Sequence, residues 1–178
     1  VTASASGSRA VIALGGNLGD REATIRAAVA ELGETAGVRV LEASGLVQSA
    51  AVTLDGVDEA APSYLNAVVL ADVQLTPIEL LDQLNAIEHR HGRVRDTVWG
   101  DRTLDLDLIA FGDVQQQDER LTLPHPRAWQ RAFVLVPWLQ ADADASLPGR
   151  GRVADLLASA AGSVTEYAAA PLVDGGPS

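Results

Sequence analysis

The 178-residue chain contains no cysteine, no methionine and no lysine. Without cysteine, disulfides, thiolate metal sites and cysteine nucleophiles are excluded. Without lysine there is no Schiff-base chemistry and no GK[ST] phosphate loop, so any ATP bound here is held in another way. No apolar run approaches membrane-spanning length, and the small, polar start VTASASGS lacks the apolar core of a signal peptide. The expectation is a cytoplasmic protein with no membrane partner. Positive charge is also scarce: the formal net charge is -11 and the pI is near 4.5. Such a chain lacks the broad positive field that nucleic acid requires, so no nucleic-acid partner is expected. What remains is 47% hydrophobic and 21% charged residues, enough for one well-buried core. The boundaries predicted are a flexible lead over 1–8, a single domain over 9–161 and a partly frayed tail over 162–178.

Hydrophobic periodicity supplies the order of elements. Arg9 to Leu14 reads as a strand that breaks into a turn at Gly15-Gly16-Asn17. A helix capped by Asp20 follows, with Ile25, Ala28, Val29 and Leu32 at helical spacing before Gly33. Val38 to Gln48 and Tyr64 to Val73 read as strands around a mixed loop. Thr76-Pro77 opens a second helix, which carries Leu80, Leu81, Leu84 and Ile87 toward Gly92. After a charged loop, the strand holding Asp105 and Asp107 completes a β-α-β-β-α-β order, the ferredoxin-like α+β unit: an antiparallel sheet with its helices on one face. A C-terminal extension follows, with a short helix near Val153 to Ala161.

That last strand, in WGDRTLDLDLIAF (99–111), sets Asp105 and Asp107 two residues apart. Side chains at i and i+2 of a strand line one face about 6 to 7 Å apart. The acids should therefore project beside Ile109 and Phe111, with Leu104, Leu106 and Leu108 opposite. Acids alternating with leucines are ordinarily the solvated side of an antiparallel strand, but two hard oxygen ligands at this separation also suit Mg²⁺. The surroundings favour the second reading. Seven of the 13 basic residues, Arg90, Arg93, Arg95, Arg102, Arg120, Arg127 and Arg131, fall within residues 90–131, where seven acids balance them. Arginine concentrated around paired acids in an otherwise acidic chain suits a small phosphorylated ligand.

Other constellations carry less. The turn LGGNLGD is not GxGxxG and no parallel βαβ unit follows it, so a tight strand-to-helix turn accounts for its glycines. His89 and His91 are two apart on a helix, which does not bring side chains together as a zinc pair. His125 lies between Pro124 and Pro126, which restrict the backbone on both sides. A phosphate-contacting role and a structural role are both open for it.

The strings LGGNLGD, YLNA, GRVR, WGDRTLDLDLI and LTLPHPRAWQRAFVLVPW, in this order and over roughly residues 9 to 160, closely resemble the 6-hydroxymethyl-7,8-dihydropterin pyrophosphokinases of folate biosynthesis. The resemblance implies a ferredoxin-like monomer that moves the β,γ-diphosphate of ATP onto the hydroxymethyl group of the reduced pterin and releases AMP. It implies that Asp105 and Asp107 hold two Mg²⁺ ions and that Arg93 and Arg102 are catalytic, in a mobile loop with Arg95 and Trp99. His125 and Arg131 resemble the family's phosphate ligands. Asn85 and Glu88 lie where the family contacts nucleotide phosphate or ribose, and Leu121 and Thr122 would lie against adenine. Tyr64 and Phe133 resemble the pair that sandwiches the pterin, Trp99 also closes on that site, and Asn66 resembles the amide that reads the ring edge.

The chain departs from the family pattern in places. Gln48-Ser49-Ala50-Ala51 stands where a Thr-Pro turn is frequent, Asp96 and Val98 where basic residues are frequent, and Asp101 where proline is usual. The first departure implies a different shape for the loop before the pterin pocket, and the others imply weaker phosphate affinity and a less rigid loop before and around Trp99. Two rival functions remain from the residues alone: a metal-dependent phosphohydrolase, which leaves Tyr64 and Asn66 unexplained, and a ferredoxin-like ligand-sensing module, which leaves the paired acids unexplained.

Overall fold

The computed structural model describes residues 7–53, 56–92 and 103–174. In chain order the elements are β1 (Ser8–Gly16), α1 (Arg21–Glu34), β2 (Val38–Ala43), β3 (Leu46–Ser49), β4 (Ala51–Thr53), β5 (Gly56–Asp58), β6 (Tyr64–Val73), α2 (Pro77–Arg90) and β7 (Asp105–Phe111). The extension adds β8 (Gln116–Gln117), β9 (Thr122–Leu123), α3 (Ala132–Ala141), β10 (Ser146–Leu147), β11 (Gly151–Arg152), α4 (Val153–Leu157) and β12 (Val164–Tyr167).

The expected helix signals operate as chemistry. The Asp20 side chain accepts the Ala23 N–H at the start of α1. Thr76 and Glu79 form a reciprocal capping box behind Pro77 in α2, which satisfies two of the amides that a helix start leaves without partners. Gly92 closes α2 at φ +79°, a conformation open to glycine. Among the described residues no helix is long and apolar enough to cross a membrane.

The main sheet is antiparallel, in the order β12-β3-β6-β1-β7, with β2 also paired to β6. The segment Val38 to Gln48, read as one strand, is broken in two. At Ser44 the backbone N–H donates to the Val68 carbonyl while Ser44 Oγ accepts the Val68 N–H. A side chain thus takes over a ladder bond, and the chain bends between β2 and β3.

Strand alternation divides the sheet into two faces. Ile12, Leu14, Leu65, Val69, Leu106 and Leu108 pack with Ile25, Leu32, Leu80, Leu84 and Ile87 of α1 and α2. Burying such a side chain contributes about 1.5 to 3 kcal/mol, so this is the principal core. The opposite face is not left to solvent, as helices on one side alone would leave it. Val11, Val68, Leu70 and Ile109 pack there against Val134, Leu135 and Trp138 of α3, a helix supplied by the extension.

Phe111 is a correction. It lies in the α1–α2 core and not beside the acids, because the partner of β1 jumps from Ala110 to Leu108 between Val11 and Ile12. The extra residue in β7 is a β-bulge, which reverses the alternation beyond it. Ile109 does share the face of Asp105 and Asp107.

The C-terminal segment also joins the sheet. Val164–Tyr167 adds β12 to the edge of β3. The Arg26 guanidinium then donates to the Ala170 and Pro171 carbonyls, and Leu172 and Val173 pack on the core. Apolar contact and charge-assisted hydrogen bonds thus hold residues 170–173.

Candidate active site

Three neighbouring strands bring the candidate residues into one row. Gly15 of β1 stands opposite Asn66 of β6 on one side and Asp105 of β7 on the other. Residues directly opposed in an antiparallel ladder share a face, so the Asn66 amide and the Asp105 carboxylate rise on either side of a glycine. Asp107, opposite Ala13, lies two residues further along that face. Both carboxylates are half-buried. A Cβ on Gly15 would come within 2.9 Å of Asn66 Oδ1, so the absence of a side chain there makes room for the amide. Glycine near a strand end was a legible signal of close approach, although its value as a turn former concealed it.

Asn66 is 5% exposed, and its Nδ2 donates to Ser49 Oγ at 2.8 Å. Tyr64, half-buried at the start of β6, lies opposite Ser49. The approach to β6 is tied down from below. The Arg21 guanidinium donates to the Ser63 carbonyl at 2.6 Å and to Ser63 Oγ at 2.9 Å, and Asn17 Nδ2 reaches the Pro62 carbonyl.

Glu88 occupies an unexpected place. It is 1% exposed, on the inner side of α2, and its Oε1 accepts the Leu106 N–H at 2.7 Å. Leu106 is the residue between the two acids on the edge strand, so a buried carboxylate ties that strand to α2. Sequence spacing predicts the core face of α2 but does not announce that an acid will serve as an edge-strand acceptor. Asn85, one turn earlier, is half-buried. Leu121 is packed in the α1–α2 core, while Thr122 is half-buried in the short β8–β9 ribbon.

His125 is brought to the acids by the turn after β9. Its backbone N–H donates to the Ile109 carbonyl at 2.8 Å. Burial pushes the imidazole pKa down to about 4, with Arg131 and Arg127 acting in the same direction and Asp105 opposing them. His125 Nδ1 accepts the Arg127 N–H at 3.2 Å, which leaves the proton of the neutral ring on Nε2 as a donor. Arg131 leads into α3, and its guanidinium lies 5.5 Å from the centre of the half-buried Phe133 ring. His125, Arg131 and Asp105 thus share one electrostatic environment. Arg93, Arg95, Trp99 and Arg102 lie outside the described residues.

Proton binding to His125 is linked to folding. The unfolded state binds the proton from about pH 6.5 and the folded state only from about 4. The neutral ring's contribution is therefore complete above pH 6.5 and is lost as pH falls toward 4. Its ceiling is about 3 kcal/mol, reduced by partial exposure. Between pH 7 and 4.5, denaturant titrations should show the wild type losing about 2 kcal/mol more stability than His125→Gln. Parallel pH profiles for the two proteins would show that the folded ring is not held neutral.

The fold recurs in a wild-type Plasmodium falciparum HPPK-DHPS chain solved with pteroate, at a TM-score of 0.65 and 12% identity, over 89% of this chain and 43% of that longer one. At that identity the likeness concerns architecture. The family follows from sequence: residues 11–143 match the model for 7,8-dihydro-6-hydroxymethylpterin-pyrophosphokinase, and the chain belongs to this family. A Synechocystis 2-amino-4-hydroxy-6-hydroxymethyldihydropteridine pyrophosphokinase is 43% identical over 80% of this chain and 71% of its own length. The Haemophilus influenzae protein of that name is 37% identical over 83% and 90%, and the Mycobacterium bovis one 39% identical over 80% and 77%.

Proposed function

We propose that the chain transfers the β,γ-diphosphate of ATP to the hydroxymethyl group of 6-hydroxymethyl-7,8-dihydropterin, releasing AMP, in folate biosynthesis. Family membership supports a Mg²⁺- and ATP-dependent enzyme of this kind. The observation that carries the reading is the row Asn66, Gly15, Asp105: a buried amide suited to a heterocycle edge lies beside a carboxylate pair suited to a metal-bound polyphosphate.

In this reading Asp105 and Asp107 hold two Mg²⁺ ions. Their donor chemistry fits: both are hard oxygen ligands on one face, and among the described residues no group of three or more His, Asp or Glu would make an all-protein cage. Mg²⁺ favours one or two carboxylates completed by substrate phosphates and water. When bound, the ions neutralise charge on the phosphates and on the attacking and leaving oxygens.

The remaining work is binding and orientation. Tyr64 and Phe133 stack on the pterin, and Asn66 reads its edge. Neutral His125 donates from Nε2 to phosphate, Arg131 supplies charge, and Asn85, Glu88, Leu121 and Thr122 are assigned to the nucleotide side. Glu88 and Leu121 act there from buried positions, through the strand and the turn that they support. Arg93, Arg95, Trp99 and Arg102 complete the phosphate environment by family likeness. The hydroxymethyl oxygen attacks the β-phosphorus and releases its proton to solvent, while the bond from that phosphorus to the α,β-bridging oxygen breaks and AMP departs with that oxygen. Positioning and charge neutralisation suffice for such a transfer. The reading is of a monomer, as the family resemblance implies.

Incubation with ATP, Mg²⁺ and the reduced pterin should yield AMP and the pterin diphosphate in equal amounts, read by nucleotide chromatography. ADP or free phosphate would instead indicate a hydrolase, and unchanged ATP a sensing module.

A further inference from the structure

We infer that Ser49 is a positioning residue that holds the Asn66 amide in its substrate-reading orientation, an inference that rests on the diphosphotransferase reading above. Ser49 and Asn66 are 9% and 5% exposed, and the bond between Asn66 Nδ2 and Ser49 Oγ is 2.8 Å. The register makes the contact possible. Val47 stands opposite Asn66 and Ser49 opposite Tyr64, so Ser49 is the diagonal neighbour of Asn66 on one face, within side-chain reach.

With Nδ2 given to Ser49, Asn66 turns Oδ1 toward β1, into the space kept open by Gly15 in the row that ends at Asp105. A heterocycle edge meeting this group meets an acceptor, so an N–H donor on the ligand is favoured there. Removal of the hydroxyl leaves a buried amide group without that partner, a state that burial penalises and rotation of the side chain relieves. The oriented acceptor is lost with it.

Ser49 is itself held from both sides. It pairs with Tyr64 on β6 and with Val164 on β12. The latter strand lies beyond the 11–143 span shared with the family model, so the chain's C-terminal segment closes the edge that carries Ser49. The sequence offered this serine only as part of a departure from a Thr-Pro pattern.

The test compares wild type, Ser49→Ala and Ser49→Thr in steady-state assays that vary the pterin and ATP separately, with thermal melting alongside. Ser49→Ala should raise the pterin KM about tenfold, with the ATP KM and the melting temperature near wild type. Ser49→Thr, which restores an oxygen on the same carbon, should recover most of the pterin KM. The inference is overturned if Ser49→Ala leaves the pterin KM within about twofold of wild type. It is equally overturned if both KM values rise together with a fall in melting temperature, or if threonine does no better than alanine. Absence of AMP formation by the wild type would instead overturn the diphosphotransferase reading.

Discussion

Asp105→Ala and Asp107→Ala should each lower kcat by about a thousandfold or more while leaving the chain folded. A loss of that size is about 4 kcal/mol of transition-state stabilisation. Each variant removes one of the two carboxylates available on the face of β7, and the partial exposure of both side chains means that truncation leaves no large cavity. Stability should be unchanged or slightly higher, because removal of one acid relieves repulsion between like charges on one strand face. AMP release at saturating Mg²⁺ measures the first effect and thermal melting the second. Retention of more than about a tenth of wild-type kcat, a deficit of only ~1.4 kcal/mol, would remove the metal assignment.

Asn66→Ala should weaken pterin binding by about tenfold to a hundredfold, with ATP affinity within about twofold of wild type. A site built around a polar edge loses about 1 to 3 kcal/mol when one partner of a buried hydrogen bond is deleted, since the other partners are then left unsatisfied. The separation between ligands follows from the row: Asn66 is on β6, whereas the acids assigned to the nucleotide phosphates are on β7, with Gly15 between them. Calorimetric titration with each ligand measures both affinities. Equal losses for the two would identify a folding defect and remove Asn66 from pterin recognition.

Much of this arrangement was legible in local patterns, for physical reasons. The Asp20 cap and the Thr76 capping box are interactions within one turn of chain, so residue type at fixed spacing suffices to find them. Period-two alternation placed Asp105 and Asp107 together on one face and Leu106 and Leu108 on the other. Alternation failed at Phe111, because a bulge is a property of the ladder with β1 and not of the seven residues in β7. It failed again at Ser44, whose own hydroxyl accepts the Val68 N–H where a ladder carbonyl would otherwise stand.

The sequence by itself determined the β-α-β-β-α-β order of the main unit, the two faces of its central strands, the charge balance and, through its motif strings, the family. These follow from local periodicity, turn chemistry and residue type. Only the tertiary structure decided that Asn66, Gly15 and Asp105 stand abreast, that α3 covers the second face, that Glu88 caps the Leu106 amide and that Ser49 holds Asn66. Apart from α3, which apolar packing carries to its face, each of these depends on strand register or on a buried polar bond between residues at least 17 positions apart in the chain. Such pairings leave no periodic trace in either segment alone. They arise because buried polar groups must find partners wherever the packing of apolar faces has carried them.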